Sequence, residues 1–371
     1  MTGLNNKKIL VCVSGGASAH QMPELLAVLK AQGAELSVLA APDAADWVSL
    51  KLLAQLTGTA VRLHSQGEPF GETRLVQVGG QPSEVAQAWL DELLGNLSNE
   101  PSDTTLFLAD PSAVERFPSI DQLGPVVLPT ETGLPLPRFD IETILALIEK
   151  SLTPPILADR RVLVTAGPTY EDIDPVRFVG NRSSGKMGYA VAAAAWRAGA
   201  QVTLISGPVA LSPPTGVALI KVRSAEQMLS AVETIIGEQE IYISCAAVAD
   251  YRPAQSAPDK IKKGADQMVL SMIANPDILR RVASRPASPF CVGFAAETVR
   301  VEEYARGKLA SKKLQLIAAN EVGGETGGFE SDQNRLELFW PGGRKLLGWS
   351  SKREQAQQLI AVVAELFAAR D

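Results

Sequence analysis

The 371-residue chain has few of the side chains from which disulfide scaffolds and zinc centres are built: three cysteines and two histidines. Cys12, Cys245 and Cys291 stand far apart, form no C-x-x-C pair and sit in apolar runs. That reads as reduced, buried thiols in a cytosolic setting. His20 and His64 cannot supply an all-histidine zinc site. No apolar run reaches the roughly 20 residues of a membrane span. The opening "MTGLNNKKILVCVSGG" ends its apolar run at glycines, which suits a strand rather than a signal peptide. Positive charge is lacking as well. A formal net charge of -6 weighs against a general nucleic-acid binder, although small basic clusters suffice for a nucleotide. With 46% apolar and 20% charged residues, the expectation is a soluble, cytoplasmic protein of two or three domains, with neither membrane nor nucleic acid as partner.

Two segments share one layout. Residues 7 to 42, "KKILVCVSGGASAHQMPELLAVLKAQGAELSVLAAP", and residues 161 to 208, from "RRVLVTAGPTYEDIDP" to "GKMGYAVAAAAWRAGAQVTLISGP", each run basic pair, β-branched strand, glycine turn, Ala/Leu-rich helix, Gly-Ala break and second strand. Each is a βαβ unit whose strands read as buried on both faces. The fold class expected is α/β: two tandem three-layer Rossmann-like domains, 1–153 and 154–371, divided in the proline-bearing "SLTPPILADR". In the second half, "EIYISCAAVADYRP" predicts a strand ending near Asp250, and "NPDILRRVAS" a helix capped by Asn275 with Pro276 in its first turn. "FCVGFAAET" and "LQLIAAN" predict further strands, "VEEYARGKLASKK" a helix, and "RLELFWPGGRKLLGW" a hairpin. A mostly parallel sheet with an antiparallel edge follows, with ligands expected at the carboxyl ends of its strands.

The dinucleotide fingerprint G-x-G-x-x-G is absent from both βα turns, "SGGASAH" and "TAGPTYEDIDP", which disfavours a routine NAD site. "VGNRSSGKMG" comes within one residue of a P-loop, but Met187 stands where a magnesium-binding hydroxyl belongs, and the stretch does not follow its strand directly. Ser183, Ser184 and Gly185 nevertheless open the helix "KMGYAVAAAAW", where free N–H groups and the helix dipole suit an anion. A plain Ser N-cap explains the same residues, and spacing alone does not choose.

"VTAGPTYEDIDPVRFVGNRSSGKMGYAVAAAAWRAGAQVTLISGPVAL", "SCAAVADYRP", "DKIKK", "NPDIL", "VGFAAET" and "EEYARGKLASKKLQLIAAN" follow one another in order. Together they closely resemble the phosphopantothenate–cysteine ligase half of the bacterial bifunctional coenzyme A biosynthesis proteins. The resemblance implies a CTP- and Mg2+-dependent ligase. Phosphopantothenate would attack the α-phosphate of CTP to give an acyl-cytidylate and pyrophosphate, and the amine of cysteine would then displace CMP. By position it implies that Asn181 holds the acyl-cytidylate and that Lys260 offsets charge as the two anions meet; Arg177, one loop away, has the charge to clamp an anion. The resemblance also implies nucleotide contacts from Ser244, Cys245 and Ala246, from Asp250 and Lys260, from the turn Asn275, Pro276, Asp277 and Ile278, and from Phe294, Lys308 and Lys312. Lys308 and Lys312 are spaced to share one helix face. Magnesium would bridge the phosphates with few protein ligands. Cys245 is expected to be a thiol with no chemistry of its own. A homodimer through the ligase half, or a higher homo-oligomer, is implied too.

The first half departs from its family. Its opening and "LTGTAV" resemble the flavin-dependent decarboxylase half of the same proteins. The catalytic His has no counterpart in "GETRLVQVGG", and His64 falls too early. "GPVVLPTETG" stands where a Pro-Ala-Met-Asn motif belongs, and "LPLPRF" where a proton-donating Cys belongs; no Cys occurs between residues 13 and 244. The expectation is a degenerate domain without decarboxylase activity, with FMN binding disfavoured. The alternative is a full bifunctional enzyme that decarboxylates the ligase product with FMN.

Overall fold

The computed structural model describes residues 4–14, 17–63, 73–78, 89–91, 93–94, 105–109, 126–127, 139–263, 268–297, 300–321 and 332–370. His64 and most of "GPVVLPTETG" and "LPLPRF" lie outside them. Two compact units divide between Pro154 and Pro155.

The first unit contains β1 (Lys8–Val13), α1 (Met22–Ala31), β2 (Glu35–Ala40), α2 (Leu50–Thr57), β3 (Thr73–Val78), β4 (Thr105–Ala109), β5 (Val126–Val127) and α3 (Ile141–Ser151). The strands pair in parallel in the order β2-β1-β3-β4-β5. That is one of the two common orders of doubly wound sheets, the one seen in flavodoxin-like proteins. Local chemistry sets the helix ends. Ser49 caps α2 through Leu52 N–H, Gly58 ends it in the left-handed conformation, and Asp140 caps α3. Ile9, Val11 and Val13 of β1 pack with Leu25, Leu26 and Leu29 of α1 and with Ile144 and Ile148 of α3 in one core.

The second unit begins with β6 (Arg161–Ala166), a small hairpin of β7 (Tyr170–Asp172) and β8 (Phe178–Gly180), then α4 (Lys186–Arg197), β9 (Gln201–Ser206), β10 (Ala218–Lys221), α5 (Ala225–Ile235) and β11 (Ile241–Ser244). It continues with β12 (Tyr251–Pro253), β13 (Met272–Ala274), α6 (Ile278–Ala283), β14 (Phe290–Glu297), α7 (Val301–Ser311) and β15 (Leu316–Glu321). It closes with β16 (Gln333–Asn334), β17 (Glu337–Trp340), β18 (Gly343–Leu346), β19 (Ser350–Ser351) and α8 (Lys352–Ala368). The main sheet runs β10-β9-β6-β11-β14-β15-β17-β18. Its first six strands are parallel, and β17 and β18 form the antiparallel edge. Counted along the chain, the parallel strands stand in the order 3-2-1-4-5-6 of a dinucleotide-binding sheet, and the order reverses between β6 and β11. At such a reversal a crevice is expected beyond the carboxyl ends of the strands. Among the described residues no helix is long and apolar enough to cross a membrane.

Three local expectations need correction. The strand of "EIYISCAAVADYRP" ends at Ser244, not near Asp250, because the chain there turns to bond the neighbouring loop. The helix of "NPDILRRVAS" is capped by Asp277, whose carboxylate accepts from Arg280 N–H, because Asn275 is occupied elsewhere: its Nδ2 donates to the Ala249 carbonyl at 2.8 Å. Neither Ser183 nor Ser184 caps α4. Its N-cap is Gly185 at φ +76°, and the Ser183 hydroxyl accepts from Gly185 N–H at 3.3 Å.

Glycine at the start of α4 answers to two demands. Gly185 takes a left-handed conformation that a side chain resists. Gly188 lets the helix press onto β6, since a Cβ there would stand 2.5 Å from the Cβ of Ala166. It does the work of the third glycine in a dinucleotide fingerprint without the fingerprint around it. Gly188→Val is therefore expected to lower the stability of the chain by about 1–3 kcal/mol through overpacking. Denaturant midpoints at unchanged m-value are the check, and an unchanged midpoint would show that the helix lifts off without cost.

Candidate functional site

Hydrogen bonds that continue past the ends of β6 and β11 build the wall of the crevice. Cys245 N–H donates to the Thr165 carbonyl (3.1 Å) and Ala247 N–H to that of Gly167 (2.9 Å). In return Thr169 N–H donates to the Ala247 carbonyl (3.3 Å), and the buried Thr169 hydroxyl accepts from Ala249 N–H (3.0 Å). Asn181, on the far side of the β7–β8 hairpin, adds two more bonds: its Nδ2 donates to the carbonyls of Ala247 (3.0 Å) and Val248 (3.2 Å). The loop 245–250 is thus held against β6 and the entry to α4, and a cleft of about 380 Å³ opens beside it.

Most of the residues singled out in the sequence meet in this cleft. Asn181, Ser244, Cys245, Ala246, Asp250, Asn275, Pro276, Asp277, Ile278, Phe294 and Lys312 line it. Lys312 terminates α7 and pairs with Asp277 at 2.8 Å. Three others stand apart from the lining. Lys308 pairs with Glu297 at 2.6 Å on the exposed side of α7, because Lys312 falls just beyond the last helical residue and turns to a different carboxylate. Lys260 is exposed on the segment after β12. Arg177 does not reach into the cleft as an anion clamp; its guanidinium is spent on a strut. It meets the buried carboxylate of Asp174 at 2.6 Å and 3.1 Å and donates to the Ile261 carbonyl at 2.8 Å. Asp174 also accepts from the N–H groups of Val176, Arg177 and Ile261. The strut fastens the segment carrying Lys260 to the hairpin that leads to Asn181. Arg177, then burial in opposition, then those N–H groups act on Asp174, and the outcome holds its carboxyl well below the usual carboxylate range.

The lining also contains Lys186, which the near-P-loop pattern matches but to which the sequence assigned no role, and Asn320, Asn334 and Lys352, which it did not single out. Lys186 Nζ lies 2.6 Å from Asp332 Oδ1. Lys352 is 7% exposed although it is a lysine at the first position of a helix. A cation at a helix N-terminus opposes the helix dipole, and that was the signal available in "SSKREQ". Burial pushes the Cys245 thiol up to about 12, with Lys352 the opposing influence, so the cleft holds a protonated thiol and no thiolate nucleophile. Burial pushes Cys291 to about 12 as well.

The strand order and the cleft at its reversal define a doubly wound α/β protein whose candidate site lies at the switch point, lined by amides, hydroxyls and lysines. Comparison with known proteins narrows this class. Residues 157–367 match the family model described as the DNA/pantothenate metabolism flavoprotein C-terminal domain. The coenzyme A biosynthesis bifunctional protein CoaBC of Vibrio vulnificus (strain YJ016) is 38% identical over 99% of this chain and 99% of its own. The protein of the same name from Escherichia coli (strain K12) is 38% identical over 96% of each. The crystal structure of the C-terminal domain of a CoaBC protein superposes with a TM-score of 0.50 at 38% identity, covering 58% of this chain and 99% of that domain. The chain belongs to the family of coenzyme A biosynthesis bifunctional proteins, CoaBC.

The Asp174 strut makes a pH-dependent contribution to stability. A folded-state pKa below the unfolded value of about 3.9 stabilises fully above that value and loses its contribution as pH falls through the folded value. Asp174→Asn is therefore expected to be less stable than the parent at pH 7, with the gap narrowing progressively below about pH 4. Urea midpoints of both proteins across that range are the measurement. A gap that stays constant with pH would remove the carboxylate from the account.

Proposed function

We propose that the second unit is a CTP-dependent phosphopantothenate–cysteine ligase within coenzyme A biosynthesis, the family role. The observation that supports this most is the gathering of Asn181, the loop Ser244–Asp250, the turn Asn275–Ile278, Phe294 and Lys312 around one cleft at the switch point. Elements distant in sequence supply them. In this reading the base lies between Phe294 and the backbone of Ser244, Cys245 and Ala246, with Lys312 and the turn at Asn275 around the nucleoside. The phosphates extend toward Ser183, Ser184 and the N-terminus of α4, whose free N–H groups favour anions. The phosphopantothenate carboxylate attacks the α-phosphate, and the cysteine amine then displaces CMP from the acyl-cytidylate. Lys260, on the segment fastened by Asp174 and Arg177, offsets the charge of the approaching anions. Magnesium enters with the triphosphate as part of the substrate. Among the described residues no three His, Cys, Asp or Glu side chains gather into a cage, and Mg2+ is ordinarily shared between phosphates and one or two carboxylates. Asp250, exposed at the cleft, is the carboxylate that would take that place.

The test is CMP formation from phosphopantothenate, cysteine, CTP and magnesium. Release of CMP with all substrates saturating is expected, and none would end this reading. Asn181→Asp sharpens it. The change sets carboxylate oxygens against the Ala247 and Val248 carbonyls and beside an anionic intermediate. A loss of about 10²–10³ in rate is expected, as for removal of one oxyanion donor. Unaltered ligation in that variant would reduce "VGNRSSGKMG" to a helix start.

We infer further that the first unit keeps a parallel sheet without the decarboxylase chemistry. It has no Cys between residue 13 and its end to return a proton, no His in "GETRLVQVGG", with His64 falling too early, and no Pro-Ala-Met-Asn motif. One observation favours a second reading, in which both activities are present and FMN is bound: relatives named bifunctional align over 99% of the chain. Absorbance of the purified protein between 350 and 500 nm (roughly the span in which flavins absorb) decides, together with CO2 release from phosphopantothenoylcysteine. A colourless protein that releases no CO2 is expected. Flavin absorbance with CO2 release would establish the second reading.

A further inference from the structure

The turn that brings Asn275, Pro276, Asp277 and Ile278 to the cleft starts from a weak support. β12 and β13 pair as an antiparallel ribbon of three residues each, Tyr251–Pro253 against Met272–Ala274. A two-stranded ribbon of that length is marginal in water. Pro276 biases the backbone of Asn275 toward extended conformations. Two things remain to be set: the direction of the Ala274 carbonyl and the rotation of the Asn275 amide. One side chain holds both. Arg252 Nη1 donates to the Ala274 carbonyl at 3.1 Å and to Asn275 Oδ1 at 3.0 Å. Its Nη2 meets Glu226 Oε1, in the first turn of α5, at 2.7 Å.

The amide of Asn275 is thereby gripped at both ends. Its Nδ2 donates to the Ala249 carbonyl at 2.8 Å while its Oδ1 accepts from Arg252. Asn275 N–H donates to the Asp250 carbonyl at 2.8 Å. Turning the amide over would set Oδ1 against a carbonyl and Nδ2 against a guanidinium, so one orientation survives. These bonds tie the turn to the loop 245–250, and both segments line the cleft. Arg252 lines a different cavity, a surface groove of about 490 Å³ shared with Glu226, Glu233 and Arg281. Asn275 and Pro276 line both cavities. The guanidinium therefore stands behind the cleft wall and braces it from the other side.

We propose that Arg252 is a positioning residue for the nucleotide: acting through Asn275, it holds the turn Asn275–Ile278 against the loop Ser244–Asp250 and so fixes the nucleoside end of the cleft. The identity of the ligand rests on the ligase reading, in which that turn surrounds the nucleoside. Charge alone does not account for the residue. Glu226, its carboxylate partner, is 62% exposed, and pairs of that kind contribute little. What the position uses is a planar fork that reaches two acceptors on the turn and one on α5 at once. The single ammonium centre of a lysine cannot match it. α5 gives the fork a fixed base, since Ser224 and Gln227 cap its start reciprocally and the buried Glu171 accepts from Ala225 N–H at 3.0 Å. Without the fork, Asn275 Oδ1 loses its donor and the amide is free to turn over, which loosens the wall at the nucleoside.

The experiment measures CMP binding by calorimetry on the full chain, with the KM for CTP and for phosphopantothenate in the ligation assay. Arg252→Met is expected to weaken CMP about tenfold, the scale of one hydrogen bond to a charged group. The KM for CTP should rise by a similar factor, and that for phosphopantothenate should stay within about twofold of the parent. Arg252→Lys keeps the charge without the fork and should lie closer to Arg252→Met than to the parent. In an Asn275→Ala background, Arg252→Met should add less than about twofold, because its path to the cleft is already cut. Thermal melts check folding; if Arg252→Met does not fold, Arg252→Lys with and without Asn275→Ala carries the same cycle. Parental CMP affinity in Arg252→Met, full recovery in Arg252→Lys, or additive losses in the double variant would overturn the assignment. The two failures separate. CMP affinity that depends on Arg252 in a protein that performs no ligation would sink the ligase reading, whereas a competent ligase whose CMP affinity is indifferent to Arg252 would sink this one.

Discussion

The site depends on hydrogen bonds that outlast the sheet. β6 and β11 stop at Ala166 and Ser244, yet their chains remain bonded to each other through Cys245, Ala247, Thr169 and Ala249. At a topological switch point the flanking helices diverge to opposite faces and leave backbone groups at the strand ends without a sheet partner. Here those groups satisfy one another, and the Asn181 amide takes the carbonyls of Ala247 and Val248. A half-buried loop whose backbone is paired in this way has few orphaned groups and is held in place. It can present backbone atoms to a ligand at fixed positions without reorganising.

Charge is arranged around that frame in two ways. Asp174 is buried and saturated with donors, so the Asp174–Arg177 strut is permanent, and it carries the segment of Lys260 with it. The lysines at the cleft are different. Lys186 and Lys312 meet carboxylates that are exposed or half-exposed, Asp332 and Asp277. Pairs of that kind are worth little in water. One set of ion pairs builds the site, and the other contributes little to holding it together.

The two units show how far fold and chemistry separate. Both sheets are doubly wound, one in the order 2-1-3-4-5 and the other in the order 3-2-1-4-5-6 with an antiparallel edge. Both therefore offer a crevice at the carboxyl ends of their strands. A crevice acts only through the side chains that reach it. In the second unit hydroxyls, amides and lysines converge there, whereas the first half of the sequence holds no cysteine after Cys12 and a single histidine, His64, beyond His20.

Much of this was legible in the chain itself. β-branched runs and glycine breaks determined the strands, the paired βαβ units and the parallel sheets, since period and turn chemistry are local properties. The hairpin at Pro341-Gly342 was equally local, with Gly342 at φ +84°. The sequence also determined which loops would meet, because the ends of parallel strands lie on one edge of the sheet. What it left open were matters of partnership across long separations. Asn275 looks like a cap until Ala249 takes its amide, and Arg177 looks like an anion clamp until Asp174 and Ile261 take its guanidinium. Lys352 looks like the solvated start of an amphipathic helix until the packing of α8 on α4 turns it into the cleft. Each of these side chains has several possible partners of nearly equal worth, and only the folded chain brings one of them within reach.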